Sequence, residues 1–292
     1  MIFRCDPHLH SGPCPWSNEW HGGSPESMAE GIVRAGVDAY AVTNHQGFYP
    51  EAAACVEEEV ARLLDGTGKK ILMITGTELS FDFDGRRFHA NHLCKDRFPT
   101  GSAPEISKLP CSFADIAQIR KDYPGVTILN HPVRRAGDAK RLDRMSGFVR
   151  DSGLFEGLEV ANGAILQNVA RHRNPRPVLS SAPIQLFQQL RGRDLNIAAI
   201  GSSDAHRGFN KIPLADDGAE DLQGLNLYDP DNQVGSAVTE YCAETPEGIF
   251  EEIRGGRTCA VAIHQEIRSL VRVAINGLSL NGLHRYVRVQ EG

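Results

Sequence analysis

The chain has 292 residues, 41% of them hydrophobic and 23% charged, and a formal net charge of −6. That composition is ordinary for a soluble globular protein with a large core, and the length fits one α/β barrel or two smaller domains. An acidic balance argues against a general grip on nucleic acid or on an anionic membrane, but it leaves room for a phosphorylated substrate if bound divalent cations supply a local positive field.

No charged segment followed by a long apolar one opens the chain, and no window of 18 apolar residues occurs in it, so neither a signal peptide nor a membrane span is expected. Seven scattered cysteines with no Cys-x-x-Cys pair read as reduced thiols in a cytoplasmic protein, not as a zinc knuckle.

In chain order, the first strand follows Ile2 and Phe3 and ends at Asp6-Pro7-His8-Leu9-His10. Residues two apart in a strand share a face, so His8 and His10 aim at one place. Ser24-Pro25-Glu26 starts a helix closed by Gly36, with Ser as N-cap and Pro at the first position. A short strand from Asp38 to Thr43 runs into Asn44-His45. A second helix over 50–64 precedes a strand from Ile71 to Thr75, which ends at Gly76-Thr77-Glu78. Asp84-Gly85 predicts a hairpin whose return arm reads His89-Ala90-Asn91-His92. Ser112 caps a helix to about Tyr123, and the strand Val126–Leu129 runs into Asn130-His131-Pro132. A helix near 138–149, a strand over Gly157–Val160 that stops at Asn162-Gly163, and a helix near 183–191 follow. The strand Asn196–Ile200 then ends at Gly201-Ser202-Ser203-Asp204-Ala205-His206. Residues 207–232 read as a long loop over the site. Thr245-Pro246-Glu247 starts a last helix, and short strands over 258–263 and 284–289 follow, with a hairpin near Asn276-Gly277.

Strand–helix alternation predicts parallel βαβ units in one barrel-like domain over 1–267, with a β appendage over 268–292 packed on it. Metal-capable residues recur at the strand ends: His8, His10, His45, Glu78, His89 or His92, His131, Asp204 and His206. Imidazoles mixed with carboxylates suit zinc, manganese or iron, whereas calcium takes mostly oxygen. Eight such groups exceed the needs of one ion, so two or three divalent ions are expected, with Glu78 able to bridge two. A water held between such ions loses its proton near neutral pH and becomes a nucleophile.

The ordered set resembles the polymerase and histidinol phosphatase (PHP) family of metal-dependent phosphoesterases. Asp-x-His-x-His runs from Asp6 to His10, and Thr43-Asn44-His45 stands at the family's Thr-Asp-His. Gly76-Thr77-Glu78, His89-Ala90-Asn91, His131-Pro132 and Ser203–His206 follow in order, with minor matches at Glu159-Val160-x-Asn162-Gly163 and Arg254–Thr258. The resemblance covers residues 1 to about 262 and implies a distorted (β/α)7 barrel with a two- or three-metal site at the C-terminal strand ends. It implies that His8, His10, Glu78 and Asp204 share one ion, that Glu78 bridges to a second held by His89 and His131, and that His45 and His206 belong to a third. His89 is preferred to His92 because it matches the family's His-x-Asn.

The sequence departs from the family at Trp16, where a ligand His is expected, and at Asn44, where an acid is usual. Cys14, Glu19 and His21 do not stand at the expected spacing, so a binuclear site is the second reading. Asp204, His206, Arg134 and Arg207 are the candidate catalytic groups. The two arginines, with Lys211 close behind, would sit at the rim and neutralise phosphoryl oxygens. Trp16 and Trp20 are placed to stack on a base or sugar or to pack over the barrel mouth. Arg257 and the Glu57–Glu59 run read as structural and solvated respectively.

The leading expectation is hydrolysis of a phosphate ester of a small metabolite (a nucleotide, sugar or amino-alcohol phosphate) by metal-bound hydroxide. The alternatives are hydrolysis of an amide, ester or carbamate bond at the same site, and a non-catalytic, metal-stabilised PHP scaffold. Long nucleic acid and membrane are not expected partners, and no motif specifies an oligomeric state.

Overall fold

A computed structural model describes residues 1–12, 23–45, 47–96, 110–133, 141–165, 177–206, 234–262 and 287–289. Among the described residues, ten strands form one mixed sheet. They are β1 (Ile2–Leu9), β2 (Ala39–Val42), β3 (Leu72–Phe83), β4 (Arg86–Cys94), β5 (Gly125–Asn130), β6 (Gly157–Asn162), β7 (Ala198–Ser202), β8 (Ala237–Cys242), β9 (Thr258–Ala262) and β10 (Val287–Val289). The helices are α1 (Pro25–Ala35), α2 (Pro50–Leu64), α3 (Phe113–Asp122), α4 (Leu142–Ser152), α5 (Pro177–Arg191) and α6 (Ile249–Arg254).

Local chemistry fixes several boundaries. Ser24 caps α1 by accepting from the Ser27 N–H, Pro25 occupies its first turn, and Gly36 ends it at φ 65°. Ser112 and Asp115 form a reciprocal capping box on α3. Asp84 and Gly85 both take positive φ, as a two-residue hairpin between β3 and β4 requires.

The sheet runs β10-β9-β8-β1-β2-β3-β4-β5-β6-β7 and curls until β7 meets β1. Leu9 bridges to Ala205, and the His10 N–H donates to the Ala205 carbonyl at 2.9 Å. Behind that seam, the Thr239 hydroxyl donates to the Gly201 carbonyl and accepts from its N–H. A Cβ on Gly201 would stand 2.3 Å from the Val238 carbonyl oxygen, so only glycine lets β7 lie this close to β8. The result is a nearly closed, barrel-like sheet.

The core is layered. Phe3, Cys5, Ile74, Leu93, Ile128 and Ile200 meet Ile249, Phe250 and Ile253 of α6, so a short helix plugs one end with apolar side chains. Outer clusters bury Met28, Ile32 and Val56 against one part of the sheet, and Leu79, Phe81, Leu158 and Phe187 against another. Cys5 belongs to the plug layer and Leu9 to an outer cluster, although strict alternation would put them on one face. The β1–β2 register shifts between Asp6 and Leu9, and this bulge changes the parity. It lets one strand supply Phe3 and Cys5 to the plug and, above them, His8 and His10 to the site.

Two expected elements differ in extent, and one strand is additional. β3 continues through Gly76 to Phe83 instead of stopping at Glu78, because it pairs with β2 along its first part and with β4 from Thr75 onward. Gly76 marks close packing there: a Cβ would lie 2.9 Å from both the Leu93 and Thr43 side chains. α5 begins at Pro177, six residues before the expected start, with Pro183 inside it. Proline lacks an N–H, so one helical hydrogen bond is forgone without ending the helix. β8 was not anticipated, and it runs antiparallel to both β1 and β9. At the C-terminal end, Val287–Val289 pairs with β9 in parallel. The expected hairpin near 276–277 and loop 207–232 lie outside the described residues.

Candidate metal centre

Eight side chains converge at one end of the barrel, carried by β1, β3, β4 and the segments just after β1, β2, β5 and β7. Glu78, 1% exposed, is at their middle. Its Oε1 lies 3.0 Å from His89 Nδ1, 3.2 Å from His131 Nε2 and 3.4 Å from His8 Nε2. Its Oε2 lies 2.8 Å from His45 Nδ1 and 3.5 Å from His10 Nε2. Asp204 Oδ1 lies 3.4 Å from both His8 Nε2 and His10 Nε2 and 3.7 Å from His206 Nδ1. His10 stacks on His206 with ring centres 4.1 Å apart and on His45 at 4.6 Å.

Four overlapping triads have donor atoms within 4.8 Å of one another: His8–His10–Asp204, His8–Glu78–His131, His45–Glu78–His89 and His10–His45–His206. All eight expected metal-capable residues belong to at least one of them. Among these triads His89 stands with His45 and Glu78, and none holds both His89 and His131. The chemistry of the set fits divalent ions of the zinc, manganese or iron type: nitrogen and carboxylate donors, converging and mostly buried.

Backbone strain concentrates here. His131 at φ 24° and Asp204 at φ 52° are two of the four described non-glycine residues with positive φ. His131 directly follows β5 and Asp204 lies two residues beyond β7, and such strain costs about 1–3 kcal/mol.

The electrostatics suit cations. Burial pushes Glu78 and Asp204 toward the neutral acid. The surrounding histidines outweigh it and hold both well below the usual carboxylate range. Burial, then the neighbouring His45, lowers His10 to about 4. Burial and His10 lower His206 well below its usual value. At neutral pH both carboxylates are therefore charged and both of these imidazoles keep their lone pairs, the state a metal ligand needs.

Parity in β4 separates the two histidines left open by the sequence. His89 shares its face with Asn91 and Leu93 and reaches Glu78, whereas His92 points the other way. His92 Nε2 lies 2.8 Å from the Tyr123 carbonyl and its Nδ1 3.0 Å from the Thr127 hydroxyl. These partners set the tautomer, with the proton on Nε2 and Nδ1 accepting. Burial lowers its pKa to about 4. His92→Phe is expected to leave the metal content per chain unchanged and to cost about 1–3 kcal/mol in denaturant unfolding, because it orphans buried partners. A loss of bound metal in this variant would return His92 to the ligand set.

Asn44 is explained by its neighbours. Its Oδ1 accepts from the Ser11 N–H at 2.8 Å and its Nδ2 donates to the Ser11 carbonyl at 2.7 Å. An aspartate could make only the first bond, so asparagine here ties the end of β1 to the end of β2. Asp6 likewise is a strut: its carboxylate accepts from the Ser203 and Gly235 N–H groups. Burial raises its pKa to about 6.

Residues whose part the motifs did not reveal also surround the cluster. Asn130 Nδ2 donates to Glu78 Oε1 at 3.0 Å and to Asn91 Oδ1 at 2.7 Å, and Asn162 Nδ2 donates to Asp204 Oδ2 at 3.1 Å. Glu159 contacts both His8 and His131. The available signal was position, since Asn130, Glu159 and Asn162 stand at or near strand ends as the ligand candidates do. Arg134, Arg207, Lys211, Trp16, Trp20, Cys14, Glu19 and His21 lie outside the described residues.

No family model matches the chain, and no curated protein matches it. Among solved structures it is similar to PsfC from Pseudomonas syringae PB-5123, with 14% identity over 94% of this chain and 97% of that one and a TM-score of 0.48. A protein from Bifidobacterium adolescentis described as a metal-dependent phosphoesterase matches at 15% identity over 73% of this chain and 91% of that one, with a TM-score of 0.43. An amidohydrolase from Chromobacterium violaceum matches at 14% identity over 96% and 80% of the two chains, with a TM-score of 0.24. No helix among the described residues is long and apolar enough to cross a membrane.

Proposed function

We propose that this chain is a metal-dependent hydrolase of the PHP type, with a distorted (β/α)7 barrel, that cleaves a phosphate ester of a small metabolite. The observation that carries this reading is the convergence of six imidazoles and two carboxylates at one barrel end, with Glu78 within 3.5 Å of five of the imidazoles. His8, His10, His45, Glu78, His89, His131, Asp204 and His206 would hold two or three ions of zinc, manganese or iron. Bound there, such ions supply Lewis acidity and an activated nucleophile at neutral pH.

The protein's own groups divide the remaining work. Glu78, reached by histidines on both of its oxygens, is the shared ligand. Asp204 and His206 close the cluster on the β7 side, with Arg207 next in sequence. Arg134 stands three residues after His131, and the two guanidinium groups would take the non-bridging phosphoryl oxygens. Without cations the charged Glu78 and Asp204 repel a phosphate dianion, so the reading requires a loaded site for substrate binding as well as for chemistry. The acidic balance favours a small substrate over long nucleic acid.

The test is metal content per chain by plasma mass spectrometry, on protein purified without chelator, followed by a panel of phosphate esters. Two or three ions and hydrolysis of p-nitrophenyl phosphate support the reading. A preference for p-nitrophenyl acetate transfers the site to acyl chemistry. A count near zero that added metal does not restore leaves a scaffold.

A further inference from the structure

Besides Asp6, a second buried carboxylate at the site stands outside all four donor triads. Glu159, on β6, is 1% exposed. Its Oε1 lies 3.0 Å from His8 Nδ1 and accepts from the Ser202 hydroxyl. Its Oε2 accepts from the His131 N–H at 2.6 Å and from Asn162 Nδ2 at 2.9 Å. A carboxylate offers about four lone-pair sites, and four donors fill them. Glu159 therefore has no free lone pair for an ion.

We propose that Glu159 is the positioning residue of the metal centre. Its carboxylate holds the proton of His8 on Nδ1, which turns the Nε2 lone pair toward Glu78, Asp204 and His10. Its second oxygen anchors the His131 backbone, whose φ of 24° needs such a restraint. Through Asn162, which also donates to Asp204 Oδ2, it reaches a third ligand. One side chain thus registers ligands from β1 and from the segments after β5 and β7. A carboxylate behind a ligating histidine fixes its tautomer and raises its basicity, and losing such a partner costs on the order of 10–100-fold in metal affinity. The proposal rests on the reading of the cluster as a metal centre.

Glu159→Gln keeps the shape but offers one acceptor oxygen in place of two, so an amide N–H₂ must face either the His8 and Ser202 donors or the His131 and Asn162 donors. The experiment titrates cobalt(II) into metal-stripped full-length protein and follows the visible ligand-field spectrum. The wild type, E159Q and S202A are compared, and circular dichroism checks the fold of each. S202A removes one of the four donors, touches no ligand, and is expected to bind as the wild type does. E159Q is expected to lose about 10–100-fold in affinity for at least one ion, with an altered spectrum. Cobalt binding by E159Q with unchanged affinity and spectrum overturns the positioning role alone. A wild type that binds no cobalt overturns the metal centre and this role with it.

If E159Q does not fold, histidine ¹⁵N spectra of zinc-loaded wild-type protein decide, with the His8 signals assigned by their loss in His8→Asn. A proton on Nδ1 and a metal-shifted Nε2 support the role, and a proton on Nε2 overturns it.

Discussion

Glu78→Gln is expected to reduce hydrolysis by at least about 10³-fold, more than the 10–100-fold typical when only an outer partner of a metal ligand is lost. The same variant is expected to retain fewer ions per chain than the wild type. Glu78 is the group on which histidines from four other segments converge, those carrying His8 and His10, His45, His89 and His131. Glutamine at this place removes a negative charge that those histidines hold well below the ordinary carboxylate range against the opposing effect of burial. It also turns an N–H₂ toward imidazole lone pairs or toward the Asn130 amide, which already donates to Oε1. Rate and metal content are to be measured on one preparation. A variant that keeps its full complement of ions and works within tenfold of wild type would show that Glu78 is not the shared ligand.

Much of this centre was legible because it is written in local spacing. His8-x-His10 shares a face by the period of two, and strand ends were visible where apolar runs stop. The same counting separates His89 from His92, since His89 is in phase with Leu93 of the apolar plug. What escaped the sequence is set by partners distant in the chain. The bulge that places Cys5 and Leu9 in different layers exists only as a register shift against β2. Gly76 reads locally as a strand stop, yet it is glycine because Leu93 and Thr43 crowd it. β8 lacks an apolar rhythm because Thr239 and Glu240 are buried in it. Thr239 bonds Gly201 across the barrel seam and Glu240 pairs with Arg4 of β1, relations no single segment reveals. Glu159 looked like a minor motif residue for the same reason: its four donors come from β1, β7, the segment after β5 and its own strand.

Stripping the ions with a chelator is expected to lower the thermal unfolding midpoint by on the order of 10 °C. A ligand at a thousand times its dissociation constant adds about 4 kcal/mol to the folded state, and each kcal/mol moves the midpoint by about 2–4 °C in a chain somewhat smaller than this one. Zinc, manganese or iron should restore the midpoint, and calcium should not, because it takes few nitrogen ligands. The gap between loaded and stripped protein should widen as pH rises above about 7, where His10 and His206, held neutral by their lowered pKa values, add no opposing slope. In the stripped protein, burial disfavours a charged His8, but Asp204, Glu78 and Glu159 outweigh it and raise its pKa well above 6.5. A raised pKa on a base contributes stability that is fully present below the unfolded value and is lost as pH climbs through the folded one. Ions act in the opposite sense, because they compete with protons for the same nitrogen and bind more tightly as those protons leave. Calorimetric scans of both forms between about pH 7 and 8.5 measure the two trends together. A midpoint unmoved by chelation at every pH, and indifferent to added zinc, manganese and iron, would mean that the buried histidines and carboxylates balance one another without a metal, and the hydrolase proposal would fall.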